Sequence, residues 1–247
     1  MPFTSIADKP NRREAIKYYQ RIVKHFSLDV HQYEDVSAVA RNGDSFQLDT
    51  VRRDGTPARY LAENLAVATG YLDTPCLLNI PGENLDKVSH YYREGSQYFD
   101  QDCLVIGAGN SAVDAALDLY RWGARVTLVH FADALDPGVK PWILPDISNR
   151  INDGAIKARW NSRVTEIREN RVLIESNGTI DEVKNDWVFA MTGSQPDPRL
   201  LRSLDVEINP QTGIPCFDPA TMQTNQPGVY IAGVMAGAHN AHKIFLR

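Results

Sequence analysis

Near the start of the chain, Ile16, Tyr19, Val23 and Phe26 fall three or four positions apart, with Arg12, Arg13, Lys17, Gln20 and Arg21 between them. That spacing predicts an amphipathic helix over 11–26, with Asp8 or Asn11 as its cap and Pro10 near its first turn. The pattern then shortens to alternating or β-rich runs at 30–33, 36–40 and 45–51, with turn signals at Asn42-Gly43 and Asp54-Gly55. Such a series reads as an antiparallel meander. A short apolar strand at 65–68 follows and stops at Thr69-Gly70.

From Cys103 the pattern changes. Leu104-Val105-Ile106 is the run of a strand buried on both faces, and the residues from Gly107 to Gly109 form a tight turn. A helix over 112–122 carries Val113, Ala116, Leu117 and Tyr120 on one face, and Gly123 is placed to end it. The run 125–130 is then a second strand, which completes a βαβ entry. Further strands are expected at 156–160, 162–166, 171–175, 186–191 and 228–232, with turns at Asn209-Pro210 and Thr212-Gly213. The order is helix and meander, then a βαβ unit, then a return segment. One domain inserted into another has that order, with crossings expected near 81–96 and 193–198.

Gly107-x-Gly109-x-x-Ala112 between a strand and a helix is a dinucleotide-binding fingerprint in its proper context. The first glycine permits the turn, and the second lets backbone approach a pyrophosphate. The small third residue lets helix and strand pack, with the phosphates at the helix N-terminus. An NAD site places a carboxylate about 20 residues further on, for the ribose hydroxyls. Here that position is His130, followed by Phe131, which favours NADPH. No arginine follows at once to hold a 2′-phosphate, and Asp133 is close by. Lys140 is a candidate cation, open to being a solvated loop charge. The missing carboxylate also counts against a methyltransferase. No tyrosine has a lysine four residues on, which excludes a short-chain dehydrogenase.

Composition narrows the class. A net charge of −5 supplies no basic field for nucleic acid or an anionic membrane. The longest apolar stretch, 228–238, is too short to span a bilayer. Cys76, Cys103 and Cys216 form no CxxC pair, so neither a disulfide framework nor a zinc knuckle is expected, and a reducing cytoplasm suits the chain.

Three more stretches occur in a telling order around the fingerprint. They are Ala68-Thr69-Gly70, then Met191-Thr192-Gly193-Ser194-Gln195-Pro196, then the run from Thr224 to Gly233. Together they resemble the two-dinucleotide-domain flavoproteins of the thioredoxin reductase type. Pro2-Phe3-Thr4, Glu14-Ala15-x-x-Tyr18-Tyr19, Asn79-Ile80-Pro81-Gly82-Glu83 and Val88-Ser89-His90-Tyr91-Tyr92 sharpen the likeness. So do Leu144-Pro145-Asp146-Ile147 and Asn240-Ala241-x-x-Ile244-Phe245. With these the chain resembles the bacillithiol-disulfide-reductase subgroup over essentially its whole length.

The resemblance implies an α/β fold, with a Rossmann-like NAD(P)-binding domain (94–197) inserted into an incomplete FAD-binding domain (1–93 and 198–247). It implies hydride transfer from NADPH to FAD and on to a small-molecule disulfide or similar electron acceptor, in a cytoplasmic protein whose relatives tend to be homodimers. Gly107, Gly109, Asn110, Ser111 and Ala112 would cradle the NADPH pyrophosphate, with His130, Lys140 and Gly193 around the same nucleotide. Thr69 and Gly70 would pass near FAD, Gly233 and Val234 near the flavin's linker, and Asn240 and Ala241 by the isoalloxazine. Val234 stands where many relatives have an aspartate, as suits the subgroup.

Other departures lower the expectation of catalysis. Thioredoxin reductases carry a redox CxxC where this chain has His90-Tyr91-Tyr92-Arg93, so thiol exchange has no dithiol there. The family's first glycine motif, where the subgroup holds a cysteine implicated in activity, and its last helix are not in this sequence. A fragment that binds NADP(H) and exposes sheet edges and apolar surface, with FAD doubtful and no catalytic residue of its own, is therefore expected. A ferredoxin–NADP reductase is the alternative enzyme. His90, Tyr91 and Tyr92 either border the nicotinamide–flavin junction or form a packed linker. His239 and His242 have metal spacing without a third ligand, and Cys76 or Cys216 could be a reactive thiol. Trp122, Trp142, Trp160 and Trp187 are expected in the core or at a domain interface.

Overall fold

The computed structural model describes residues 11–236, which fall into two compact units. The first holds 11–67, 198–208 and 215–232. The second holds 68–197, 209–214 and 233–236. The sequence places the first boundary at 93/94, whereas by packing residues 68–93 join the second unit.

Helix α1 (Arg12–His25) opens the first unit. Asn11 caps it through a reciprocal pair of bonds: its Oδ1 accepts from the Glu14 amide at 3.0 Å, and the Glu14 carboxylate accepts from the Asn11 amide at 2.9 Å. Its apolar stripe is not covered by the described residues, for Ile16, Tyr19 and Phe26 all remain exposed. Strands β1 (Glu34–Asn42), β2 (Ser45–Arg52) and β3 (Pro57–Ala62) form the meander. Residues 30–33, expected as a strand, are instead a bend leading into β1. Tyr33 sits there at a φ of 59°, outside the strand region. The third strand is β3, where Tyr60 and Leu61 stand side by side on opposite faces and Leu61 is exposed, so no apolar alternation marks it. Strand β4 (Leu65–Val67) follows.

The second unit is built on a parallel sheet. Its strands are β5 (Val88–Ser89), β6 (Asp102–Ile106), β7 (Arg125–Val129) and β8 (Ile156–Arg159), with helix α2 (Asn110–Arg121) after β6 and α3 (Leu144–Asn152) after β7. An antiparallel trio follows, β9 (Ser162–Arg168), β10 (Arg171–Ser176) and β11 (Thr179–Lys184), and then β12 (Trp187–Ala190) returns to the parallel sheet. The parallel order is β5-β12-β6-β7-β8.

Both faces of that sheet are covered, which is why its strands read as continuous apolar runs. Cys103, Val105, Val126, Leu128 and Phe189 pack under α2 and α3 with Ala112, Ala116 and Ile147. Leu104, Ile106, Val129 and Val188 pack on the other side against Val164, Ile167, Val172 and Ile174 of the antiparallel trio. Gly123, at a φ of 81°, ends α2 as expected.

Helix α3 and strand β11 went unread in the sequence although each had a signal. Ile143 at the N-cap of α3 and Ile147 and Ile151 within it fall at a four-residue spacing, and Ile147 is fully buried. Strand β11 follows the turn Asn177-Gly178, both at positive φ, a strong hairpin signal that its polar residues obscure. The tryptophans divide: Trp160 and Trp187 are half-buried, but Trp122 and Trp142 are more than half exposed, contrary to a core role.

The chain returns to the first unit through α4 (Pro198–Ser203) and β13 (Val229–Ile231), which pairs in parallel with β4. Phe46, Leu201, Val229 and Ile231 are the most deeply buried residues of that unit. Among the described residues no helix is long and apolar enough to cross a membrane.

Candidate functional site

The glycine-rich turn joins β6 to α2 at the carboxyl end of the parallel sheet. Gly107 has a φ of 124°, and its amide donates to the Val129 carbonyl of β7 at 2.9 Å. A Cβ there would stand 2.5 Å from the Met191 carbonyl oxygen, so close backbone approach and dihedral both demand glycine. Gly109 is the N-cap of α2 and supplies no side chain to bond the first-turn amides. A Cβ at Gly109 would meet nothing within 4 Å, so that side of the turn is open. Ala112 is fully buried behind it. An uncapped helix start with no acidic residue in its first turn leaves amide donors and the positive end of the helix dipole for an anion.

Asn110 contributes its backbone to that turn, but its side chain faces a different task. Its amide group donates to the Gly138 carbonyl at 2.8 Å, and its Oδ1 accepts from the Lys140 amide at 2.9 Å. It thereby clamps the loop at 136–140, which the Asp136 amide also ties to the Ala108 carbonyl. Ser111 is exposed. Lys140, the cation candidate, pairs through Nζ with Asp114 of α2 at 2.7 Å. Gly193 follows β12, beside β6, at a φ of 92° with open space where a Cβ would be.

His130 ends β7. Its ring lies 4.4 Å from that of Phe131 and edge-on to Trp160. Burial pushes its pKa down, the Asp136 carboxylate opposes this and the Arg163 charge adds to it, so the imidazole is neutral at neutral pH. Arg163 escaped the sequence reading, because it arrives from β9 and its guanidinium stands 5.1 Å over the Phe131 ring. Nothing in the local sequence signals that meeting.

Thr69, Gly70, Gly233 and Val234 are brought together after the paired ends of β4 and β13. Thr69 Oγ1 reaches the Met235 sulfur at 3.1 Å, and a Cβ on Gly70 would touch Val234 at 3.8 Å. Gly70 and Gly233 both sit at a φ of 72°, and a Cβ on Gly233 would meet nothing. Asn240, Ala241, His239 and His242 lie outside the described residues.

The stretch after β5 is a packed linker. His90 Nε2 lies 3.4 Å from Glu83, whose carboxylate also accepts from the Leu78 and Asn79 amides at 2.6 and 2.7 Å. Tyr92 donates to Asp118 of α2 at 2.5 Å and packs edge-on against Phe189. Burial, and then the Asp118 charge, push its pKa up, so it stays a phenol. Tyr91 is half exposed. Replacing Tyr92 with phenylalanine should lower stability by about 1.5–3 kcal/mol, the worth of a hydrogen bond to a charged group. A urea midpoint unchanged from the wild type would contradict it.

The three cysteines are free. Cys103 is buried in β6 and its thiol is pushed up to about 12, first by burial and then by Asp186 and Asp102. Burial alone raises Cys76, and Cys216 is exposed. An aromatic disulfide reagent should therefore label Cys216 first in the folded chain and Cys103 only after unfolding. Equal rates at the two would show that the burial is not real. Among the described residues no group of three acids, histidines or cysteines could hold a metal ion.

The profile of the pyridine nucleotide-disulphide oxidoreductases matches residues 1–233. The chain belongs to that family. Bacilliredoxin reductase Bdr of Bacillus subtilis (strain 168) is 42% identical over 240 residues, which cover 96% of this chain and 72% of that protein. The solved bacillithiol disulfide reductase Bdr (YpdA) from Bacillus cereus is 42% identical and superposes with a TM-score of 0.93, over 96% of this chain and 73% of its own. Thioredoxin reductase from Lactococcus lactis follows at 26% identity and a TM-score of 0.69, over 83% of this chain and 67% of its own. The architecture is thus the α/β, thioredoxin-reductase-like one of two-dinucleotide-domain flavoproteins, and the family couples a flavin to a pyridine nucleotide. The residues present fit a dinucleotide pyrophosphate at Gly107, Gly109 and the uncapped start of α2. In the first unit, by contrast, α1 caps its own N-terminus with Asn11 and Glu14, which leaves no uncapped helix start there for an anion.

Proposed function

We propose that this chain is the NADP(H)-binding part of an NADPH-dependent flavoprotein that reduces a low-molecular-weight disulfide of the bacillithiol kind. The reading rests above all on the β6–α2 turn, where Gly107, an open Gly109 and unbonded helix amides form an anion cradle. The 42% identity to a bacilliredoxin reductase over nearly the whole chain supports the acceptor class. When bound, NADPH supplies a hydride that, with one proton and through the flavin, cleaves a disulfide to two thiols. This chain's own residues bind and orient: the turn holds the pyrophosphate, Asn110 fixes the loop beside it, and Gly193 leaves room at the strand edge. The described cysteines are separate from one another and supply no dithiol.

Two measurements on the purified chain test this. Calorimetry should show NADPH bound in preference to NADH, and no heat with either nucleotide would overturn the reading. Visible absorbance separates enzyme from binding module: bound flavin supports turnover by this chain, and a colourless protein that still binds NADPH confines its role to the nucleotide.

A further inference from the structure

Nucleotide choice in a βαβ fold is made at the end of the second strand, where a carboxylate holds ribose hydroxyls or a nearby arginine holds a 2′-phosphate. At that place this chain has His130 and Phe131, neither of them a carboxylate. The turn from β8 into β9 is fastened there by three backbone bonds. The His130 amide donates to Arg159, the Asn161 amide to Ala132, and the Ser162 amide to His130, each at 2.9 Å. The next residue, Arg163, is thereby set beside the end of β7 with its guanidinium over the Phe131 ring.

The other cations near this end of the sheet are already engaged. Arg159 pairs with Asp181 and Lys140 with Asp114, both at 2.7 Å. Arg163 has no carboxylate within 4 Å among the described residues. Glu175 opposite it on β10 shares its face without forming an ion pair. Asp136, the carboxylate that acts on His130, accepts from the Gly138 amide at 2.7 Å. An exposed arginine lying on an exposed aromatic ring, next to a neutral imidazole, is an uncompensated charge with its planar face pre-oriented.

We propose that Arg163, oriented by Phe131, is the residue that holds the 2′-phosphate of NADPH and so selects NADPH over NADH. This rests on the nucleotide-binding reading above. The guanidinium fork donates charge-assisted bonds to the phosphate, Phe131 keeps the fork flat and raised, and His130 adds a hydrogen-bonding edge without a competing charge. Asp133, exposed nearby, is the group that would instead bond the ribose hydroxyls in an NADH-selective site.

The test is calorimetric titration of the intact chain with NADPH, NADH and 2′,5′-ADP, for wild type, Arg163→Gln and Arg163→Lys. Arg163→Gln should weaken NADPH and 2′,5′-ADP about 10- to 100-fold and change NADH less than about threefold, as expected for a lost charged phosphate contact. Arg163→Lys should recover part of the NADPH affinity. Arg163 is exposed, so unfolding is not the expected cause of a loss, and unchanged NADH affinity in the variant confirms that it is folded. A wild type that binds neither nucleotide overturns both this inference and the nucleotide reading. A wild type that prefers NADPH, with a variant that keeps the preference, overturns only the role of Arg163. Equal weakening of both nucleotides, or a wild type that prefers NADH, overturns it as well.

Discussion

Replacing Gly107 with alanine should abolish nicotinamide-nucleotide binding and lower stability by about 3 kcal/mol, with backbone strain and overpacking each worth ~1–3 kcal/mol. Two causes act together. The φ of 124° belongs to glycine, and the added methyl would stand 2.5 Å from the Met191 carbonyl oxygen and 3.2 Å from its carbon. The strand end of β12 cannot retreat freely, since β12 is hydrogen-bonded to β6 along its length. The turn must therefore open, and its amides leave the positions that face the phosphates.

Gly109→Ala supplies the contrast. Gly109 has an ordinary φ of −82°, and its new methyl would meet no protein atom. Stability should change by less than about 1 kcal/mol, as an N-cap exchange of alanine for glycine does. Nucleotide affinity should still fall at least about tenfold, because the methyl fills the space a pyrophosphate needs. Urea unfolding and calorimetry on the two variants separate the roles. If Gly109→Ala binds NADPH as tightly as the wild type, the pyrophosphate does not lie on this turn.

Gly82→Ala should be the most destabilising single methyl in the second unit, at about 3–5 kcal/mol. Its Cβ would fall 1.8 Å from the Ile167 carbonyl oxygen and 2.7 Å from the carbonyl carbon, at a φ of 83°. Both sides of that clash are backbone, and they are tied together, since the Ile167 amide donates to the Pro81 carbonyl at 2.9 Å. Relief requires the loop to lift from β9, which uncovers Ile80 and Leu85 over the core between the two sheets. The damage lies on the side of the parallel sheet opposite α2, so the molecules that stay folded should keep their NADPH affinity. A urea midpoint within error of the wild type would show that this contact is looser than the structure has it.

Much of the second unit was legible because its signals are local. A buried parallel strand, a glycine turn and an amphipathic helix each declare themselves within a few residues, and β6, α2 and β7 lie within a residue or two of where the pattern placed them. The meander was legible from its turns, although its third strand was set at 30–33 instead of Pro57–Ala62. A left-handed Tyr33 leaves no trace in periodicity, and the polar β11 reads as loop because its sheet edge faces water.

The sequence by itself carried the dinucleotide fingerprint and the place of its turn in the fold. The reason is steric: a close backbone turn ahead of a helix needs glycine at one position and a small residue at another, and both needs are written at fixed spacing. It also carried the family, through motifs spread along the chain in order. Only the tertiary structure decided which charges are free. Lys140, a candidate cation open to being a solvated loop charge, lies beside Asp114; His90, open to bordering the nicotinamide–flavin junction or to packing in a linker, lies beside Glu83; and Arg163 had no claim until β9 brought it over Phe131. A charge is available to a ligand only when no opposite charge lies close to it. Those distances are fixed by strands packing across the sheet, not by neighbours along the chain.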